Sequence, residues 1–198
     1  ISRGPLGIYA PVFENKIEPT VVVADFPLKW AVASMGKLYD EGINAVLVSQ
    51  RAIPAHLMDP KIKNRSRIFY LNANIEASLF KGKNNWALLL DDRGFIAEGS
   101  GDNFFIVKDK KVITPRGVHI LRGISRDYVL EQLCEQLNLE KEEKDIEPYD
   151  VYSADEAFIT GTPFCLLPVT HFRYQPVGDC KFGKITKLLL DKWSSNVG

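Results

Sequence analysis

The chain has 198 residues, 45% of them hydrophobic and 25% charged. That composition excludes a disordered or fibrous protein and suits one large domain, or one domain with part of another. Lys plus Arg (25) balances Asp plus Glu (25), so no global positive field favours a nucleic acid or an anionic membrane. No apolar run reaches the roughly 18–20 residues of a membrane span. Cys134, Cys165 and Cys180 are odd in number and widely spaced, with no CxxC pair. They suit a reducing compartment and exclude a zinc ribbon or a disulfide framework.

The opening segment, ISRGPLGIY, reads as the tail of a strand followed by a turn, and the expectation is that further sequence precedes it. Pro19–Phe26 (PTVVVADF) is a β-branched run bounded by prolines and predicts a strand. Trp30–Tyr39 carries Val32, Met35 and Leu38 at a short helical period and stops at Gly42. Asn44–Ser49 reads as a strand. Pro54 and Pro60 make residues 51–60 a loop. From Ser66 to Phe80 there is no Gly or Pro, and Phe69, Ala73, Ala77 and Phe80 recur at helical spacing.

Four short strands follow, Trp86–Leu90, Phe95–Glu98, Asn103–Lys108 and Val112–Thr114, separated by turn residues in the manner of an antiparallel sheet. The run LRGISRDYVLEQLCEQLNL predicts a helix capped by Ser125, with Val129, Leu130, Leu133 and Leu137 as its apolar stripe. Residues 145–155 are acidic. Ala157–Thr160 and Leu166–His171 read as strands, and Ile185–Trp193 as a closing amphipathic helix. The fold class is α+β, a folded sheet whose loops converge from several strand ends.

Four local features have chemical potential. Lys63 lies between a proline-bounded loop and a helix; it is either a solvated surface lysine or an amine able to form a Schiff base. Glu98 ends a strand before Gly99-Ser100-Gly101, either as a surface acid or as a carboxylate facing a protonated ring nitrogen. Gly123-Ile124-Ser125 opens a helix whose free N–H groups and dipole favour an anion. Gly161-Thr162 forms a second small-residue turn after a buried strand. His56, His119 and His171 are scattered without paired spacing, which argues against a metal centre. No GxSxG elbow, Walker loop or GxGxxG is present.

Taken together, these segments resemble fold-type IV pyridoxal-phosphate enzymes, the class IV aminotransferase family of branched-chain and D-amino-acid aminotransferases and aminodeoxychorismate lyase. IKNRSRIFYLNANIEA is similar to the family's lysine segment, which runs into a helix ending in Glu-Ala. GFIAEGSGDNFFIV is similar to its Glu-Gly-Ser-x-x-Asn-Phe pattern. ILRGISRDYVLE is similar to its Leu-x-Gly-Ile-Thr-Arg phosphate helix, and AFITGTPFCLLPV to its Thr-Gly-Thr turn. The four motifs stand in the family's order from Lys63 to Val169.

The resemblance implies a D-amino-acid-aminotransferase-like fold, with a mixed or antiparallel pseudo-barrel flanked by helices. In that reading residues 1–36 are the end of a small N-terminal domain, otherwise largely missing, and residues 37–198 are the large cofactor domain. It implies pyridoxal 5'-phosphate held by Lys63 as a Schiff base, with Glu98 at the pyridine nitrogen and Ile124, Ser125 and Thr162 at the phosphate. Arg3 and Phe164 are the implied substrate-binding positions, for an amino acid and a 2-oxo acid. A cytosolic homodimer is also implied, with no metal, nucleic acid or membrane partner. Pro163 follows the Thr-Gly-Thr turn and has no N–H, so carboxylate capture differs from the branched-chain pattern. Arg67 stands where branched-chain enzymes place a tyrosine; with Arg65 it brings positive charge near Lys63, suiting an acidic substrate or a lysine that loses its proton more easily, or else the two are a surface pair held by nearby carboxylates. The alternatives are a lyase of the aminodeoxychorismate type and a catalytically silent dimerisation module.

Overall fold

A computed structural model of the chain describes all residues except 1–3, 5, 15, 17, 26, 65 and 198, and leaves out the side chains of 28, 31 and 32. The chain divides into two compact units, Ile1–Trp30 and Ala31–Gly198. In the first, a 3-10 helix covers Gly7–Phe13. Residues 21–25, inside the segment expected as a strand, show no ladder; Val21, Val22 and Val23 are exposed.

Helix α1 (Leu28–Met35) and helix α2 (Leu38–Glu41) replace the single helix expected over Trp30–Tyr39, because the chain turns at Gly36 and Lys37 between them. Gly42 ends α2 at φ +70°, and a Cβ there would overlap the Thr170 side chain, so both conformation and space require glycine. Strand β1 (Ile43–Leu47), helix α3 (Ile68–Leu79), and strands β2 (Asn85–Leu90), β3 (Ile96–Gly99), β4 (Asn103–Lys108) and β5 (Lys111–Pro115) follow. A long helix then runs as α4 (Ile124–Tyr128), a π turn over Val129–Leu133 and α5 (Cys134–Gln136). Strand β6 (Lys141–Lys144), helix α6 (Pro148–Tyr152), strands β7 (Glu156–Gly161), β8 (Cys165–Phe172) and β9 (Gln175–Pro176), and helix α7 (Lys184–Val197) complete the chain.

The sheet order is β3-β2-β1-β8-β7-β4-β5-β6, with β9 on β8, and β3 also pairs with β4. That last pairing closes β3, β2, β1, β8, β7 and β4 into a ring. The β2–β3, β3–β4 and β4–β5 pairs are antiparallel, whereas β1–β2, β1–β8 and β5–β6 are parallel. The sheet is therefore mixed, a helix-flanked pseudo-barrel.

Strand alternation assigns each side chain to a side of this ring. Ile43, Ala45, Phe104, Ile106, Ile159, Leu167 and Val169 fall into one buried cluster inside it. The alternate residues Phe105, Val107 and Phe158 pack outward in a cluster with Val129, Leu130 and Leu133 of the long helix and Leu189 of α7. Val46, Val48, Ala87 and Leu89 pack with Ala73 and Ala77 of α3. Phe105 and Phe158 stack with centroids 4.7 Å apart.

Arg126 pins the long helix to the sheet. It is 2% exposed, and its guanidinium donates to the Pro115 carbonyl at 3.1 Å and to Glu143 Oε2 at 2.6 Å. Removing one partner of a buried pair strands the other. Because the Glu143 side chain is itself half-exposed, Arg126→Ala is expected to cost about 3 kcal/mol of unfolding free energy, at the low end of the range for broken buried pairs. Urea unfolding measures it, and a loss within experimental error would show that the pair carries little.

Candidate active site

Three strand ends meet at one end of the barrel. Glu98 near the end of β3 pairs in register with Asn103, the first residue of β4, and Asn103 pairs with Thr160 near the end of β7. Directly opposed residues share a sheet face, so the three polar side chains form a row. They line a cavity of about 330 Å³ together with Lys63, Arg67 and Tyr70 from the α3 region, His119 and Arg122 from the loop before α4, and Gly161 and Thr162.

Glu98 is 5% exposed. Its Oε1 accepts from the Tyr70 hydroxyl at 2.5 Å, and its Oε2 accepts from the Leu121 N–H at 3.0 Å and Asn103 Nδ2 at 3.3 Å. Burial pushes the carboxyl up to about 7; the Tyr70 and Leu121 hydrogen bonds and the charges of Arg67 and Lys63 act in the opposite direction. Burial and the facing Glu98 carboxylate raise the Tyr70 phenol above its ordinary range. The Arg67 guanidinium stacks 4.6 Å over the Tyr70 ring and donates to the Ser100 carbonyl. An acid dressed only by neutral donors, with cations at a distance, is arranged to receive one further cationic N–H, which would return it to the ionised state.

The tight β3–β4 turn holds this acid in place. Gly99 N–H donates to the Asp102 carbonyl at 3.0 Å, and a Cβ on Gly99 would overlap the Asp102 carboxyl. Asp102 is 8% exposed; burial and the Glu98 charge push its carboxyl up to about 7, opposed by one backbone N–H, that of Gly101.

Opposite Glu98 lies the start of α4. The cap is Gly123 in an extended conformation (φ −69°, ψ 139°), with no side chain capping the helix. The sequence pattern places Ser125 at the cap, but Ser125 is the second residue of the helix, 7% exposed. Gly123 is itself crowded by Asn103 Oδ1, which a Cβ there would overlap. The first-turn N–H groups therefore have no intrahelical partner and no capping side chain. Thr160 Oγ1 and His119 Nδ1, on residues of the same lining, are buried without a hydrogen-bond partner.

Of the residues singled out from sequence, the fold brings Lys63, Glu98, Ile124, Ser125 and Thr162 to one cavity lining. Lys63 is exposed, in the loop before α3. Phe164 is not part of the lining: its N–H donates to the Gly161 carbonyl at 3.2 Å, and its ring is buried edge-on to Trp86, 5.6 Å between centroids. Arg3 and Arg65 lie outside the described residues. Sequence reasoning missed Tyr70, Asp102 and Thr160. Tyr70, three residues after Arg67 at the cap of α3, carried a spacing signal; Asp102, in the β3–β4 turn, and Thr160, in the otherwise apolar β7, carried none beyond being polar. Asp91, Asp92 and His119 also approach one another, but the Asp91 oxygens already accept from Arg93 and Phe95.

An amine at the rim, a buried acid on the floor and an uncapped helix start opposite it form a site for an anionic group carrying a cationic ring. The chain belongs to the amino-transferase class IV family, whose model matches residues 1–172. The branched-chain-amino-acid aminotransferase of Escherichia coli strain K12 is 31% identical over 169 residues, covering 84% of this chain and 53% of that protein. Among solved structures, the branched-chain amino acid aminotransferase of Thermobaculum terrenum in its PLP form is 32% identical with a TM-score of 0.75, over 81% of this chain and 53% of that one. The branched-chain aminotransferase of the archaeon Thermoproteus uzoniensis, crystallised with norvaline, is 30% identical with a TM-score of 0.72, over 78% of this chain and 50% of that one. The chain spans about half the length of each of these three relatives.

Proposed function

We propose that this chain carries the cofactor-binding part of a pyridoxal-phosphate-dependent aminotransferase that moves an amino group from an amino acid to a 2-oxo acid, with branched-chain amino acids among its substrates. The observation behind this reading is the convergence of Lys63, Glu98 and the α4 start on one cavity, supported by relatives that bear the branched-chain aminotransferase name.

The residues present fit the cofactor. Glu98 is buried and short of a cation, the first turn of α4 is uncapped, and the Thr160 hydroxyl is buried without a partner. When bound, pyridoxal phosphate supplies an electron sink that stabilises negative charge at the substrate Cα. Lys63 Nζ, on the cavity lining, would be the amine that holds the cofactor and, once free, the base that accepts and returns the proton at the substrate Cα. Glu98 Oε holds the ring nitrogen in its protonated state. Ile124 and Ser125 N–H groups, the Ser125 hydroxyl and Thr162 bind phosphate at the helix start, where the dipole favours an anion. Pro163 lacks an N–H and the Phe164 N–H is occupied, so the turn after Thr162 leaves the substrate carboxylate to other groups. Arg3 is one of these in our reading.

In the same reading residues 37–198 form the large domain and residues 1–36 the end of a smaller one. We read the protein as a cytosolic homodimer; the free thiols of Cys134, Cys165 and Cys180 suit a reducing compartment. Ile68, Leu71, Ile75 and Leu79 form an exposed uncharged stripe on α3 that can meet its own copy without like-charge repulsion.

A half-reaction separates the aminotransferase from the lyase. Protein loaded with pyridoxal phosphate and mixed with leucine or valine, without an acceptor, is expected to release one equivalent of the matching 2-oxo acid and to lose its visible band. Pyruvate from an aminodeoxychorismate-type substrate, with no reaction of leucine or valine, would replace this reading by the lyase.

A further inference from the structure

We propose that Tyr70 is a positioning residue for Glu98: its hydroxyl holds the buried carboxylate in the ionised form, so that a cationic ring N–H docking there keeps its own proton. A direct contact carries this inference. The Tyr70 hydroxyl donates to Glu98 Oε1 at 2.5 Å, joining the first turn of α3 to β3. Both residues line the cavity and Glu98 is 5% exposed, so water competes little for the carboxylate.

Tyr70 is itself held in place. Its ring lies under the Arg67 guanidinium, 4.6 Å away, and beside the Phe69 ring at 4.2 Å. Arg67, at the cap of α3, also donates to the Ser100 carbonyl. The start of α3 therefore grips the β3–β4 turn twice, once at the acid and once at the backbone two residues later. Donor counting shows what this leaves open. A carboxylate offers about four acceptor positions. Oε2 receives the Leu121 N–H at 3.0 Å and Asn103 Nδ2 at 3.3 Å, whereas among the described residues Oε1 receives only Tyr70. The open position is on Oε1, beside the hydroxyl.

A hydroxyl that donates to a carboxylate lowers its affinity for a proton. The other charged or titratable groups of the lining are Arg67, Lys63 from the loop before α3, His119 and Arg122 from the loop before α4, and Asp102 from the β3–β4 turn. Among the described residues, Tyr70 is the one titratable group hydrogen-bonded to Glu98. Burial and the facing carboxylate keep its phenol protonated, so it remains a neutral donor throughout the working pH range. A cationic N–H meeting this acid stays an ion pair. Without the hydroxyl, the proton moves from nitrogen to Oε1 and both partners become neutral. That consequence rests on the function proposed above; the bond between Tyr70 and Glu98 does not.

Tyr70→Phe removes the hydroxyl and keeps the ring. Carboxyl 13C NMR of the cofactor-free, glutamate-labelled protein is expected to show one glutamate titrating near pH 7, assigned by its loss in Glu98→Gln. In Tyr70→Phe its midpoint is expected to move up by about one pH unit, the effect of one hydrogen bond to a charged group. An unmoved midpoint overturns the proposal and leaves Tyr70 a packing residue. Should Tyr70→Phe fail to fold, 13C NMR of the unsubstituted chain labelled at tyrosine Cζ is expected to show one resonance that follows the Glu98 titration. No tyrosine resonance that follows it overturns the bond.

Loading with pyridoxal phosphate carrying 15N in its ring tests the consequence. The ring nitrogen is expected to be protonated in the wild type and largely unprotonated in Tyr70→Phe. Amino-group transfer in the variant is expected to slow by about tenfold at nearly unchanged cofactor affinity. A protonated ring in both proteins, with the Glu98 midpoint moved, overturns the consequence alone. Failure of both proteins to take up the cofactor overturns the proposed function and the consequence with it, and leaves the Tyr70 bond to Glu98 standing.

Discussion

Lys63→Ala is expected to lower amino-group transfer by at least about a thousandfold, since one side chain serves as both covalent anchor and proton carrier. The variant should fold as the wild type does, because Lys63 is exposed in the loop before α3 and makes no ion pair or hydrogen bond among the described residues. It should still bind pyridoxal phosphate through the α4 start and Glu98, but without the visible band of the lysine-linked form. A small primary amine added to the variant should restore part of the rate by carrying the proton in place of Nζ. Equal rates in variant and wild type would show that another lysine does this work.

Glu98→Gln is expected to lower the maximal rate by about a hundredfold, comparable to removing one preorganised charge-stabilising group, while cofactor affinity changes by less than tenfold. The side chain stays near its original volume, so a rate loss without an affinity loss isolates the charge at the ring nitrogen. The substitution also removes a group that gains its proton on folding, so the decline in stability as pH rises toward about 7 becomes shallower. Equal losses in affinity and rate would assign Glu98 to holding the turn together instead of to charge.

Much of the barrel was legible in the sequence because its strands alternate or run apolar between turn residues. Trp86–Leu90, Phe95–Glu98, Asn103–Lys108 and Val112–Thr114 correspond to β2–β5, and their antiparallel pairing holds. Strand β6 did not show, because KEEK has no apolar face; it forms by parallel pairing with β5 at an exposed margin, a tertiary effect. Nor did the closure of the ring: the β1–β8 pairing joins residues far apart in the chain, and no local pattern encodes it. Asp145–Asp155 read only as acidic, yet Glu147 and Asp150 form a capping box around a short helix behind Pro148.

The site divides in the same way. Lys63, Glu98 and Ser125 are legible through motifs because backbone features surround them: a proline-bounded loop, a glycine turn and a helix start. Tyr70 and Asp102 are not, because they are placed by tertiary and turn contacts, Tyr70 on α3 with Glu98 twenty-eight residues away and Asp102 with the backbone of Gly99 in the β3–β4 turn. Ser125 shows a middle case. Helix-start chemistry suggests a cap, but the cap lies two residues earlier, at Gly123, and the serine hydroxyl is inside the first turn.

Borohydride reduction of the protein incubated with pyridoxal phosphate, followed by peptide mapping, tests the central claim most directly. The expected result is a visible band that is lost on reduction and one stable phosphopyridoxyl adduct, on Lys63. An adduct on a different lysine, or none at saturating cofactor, would contradict it.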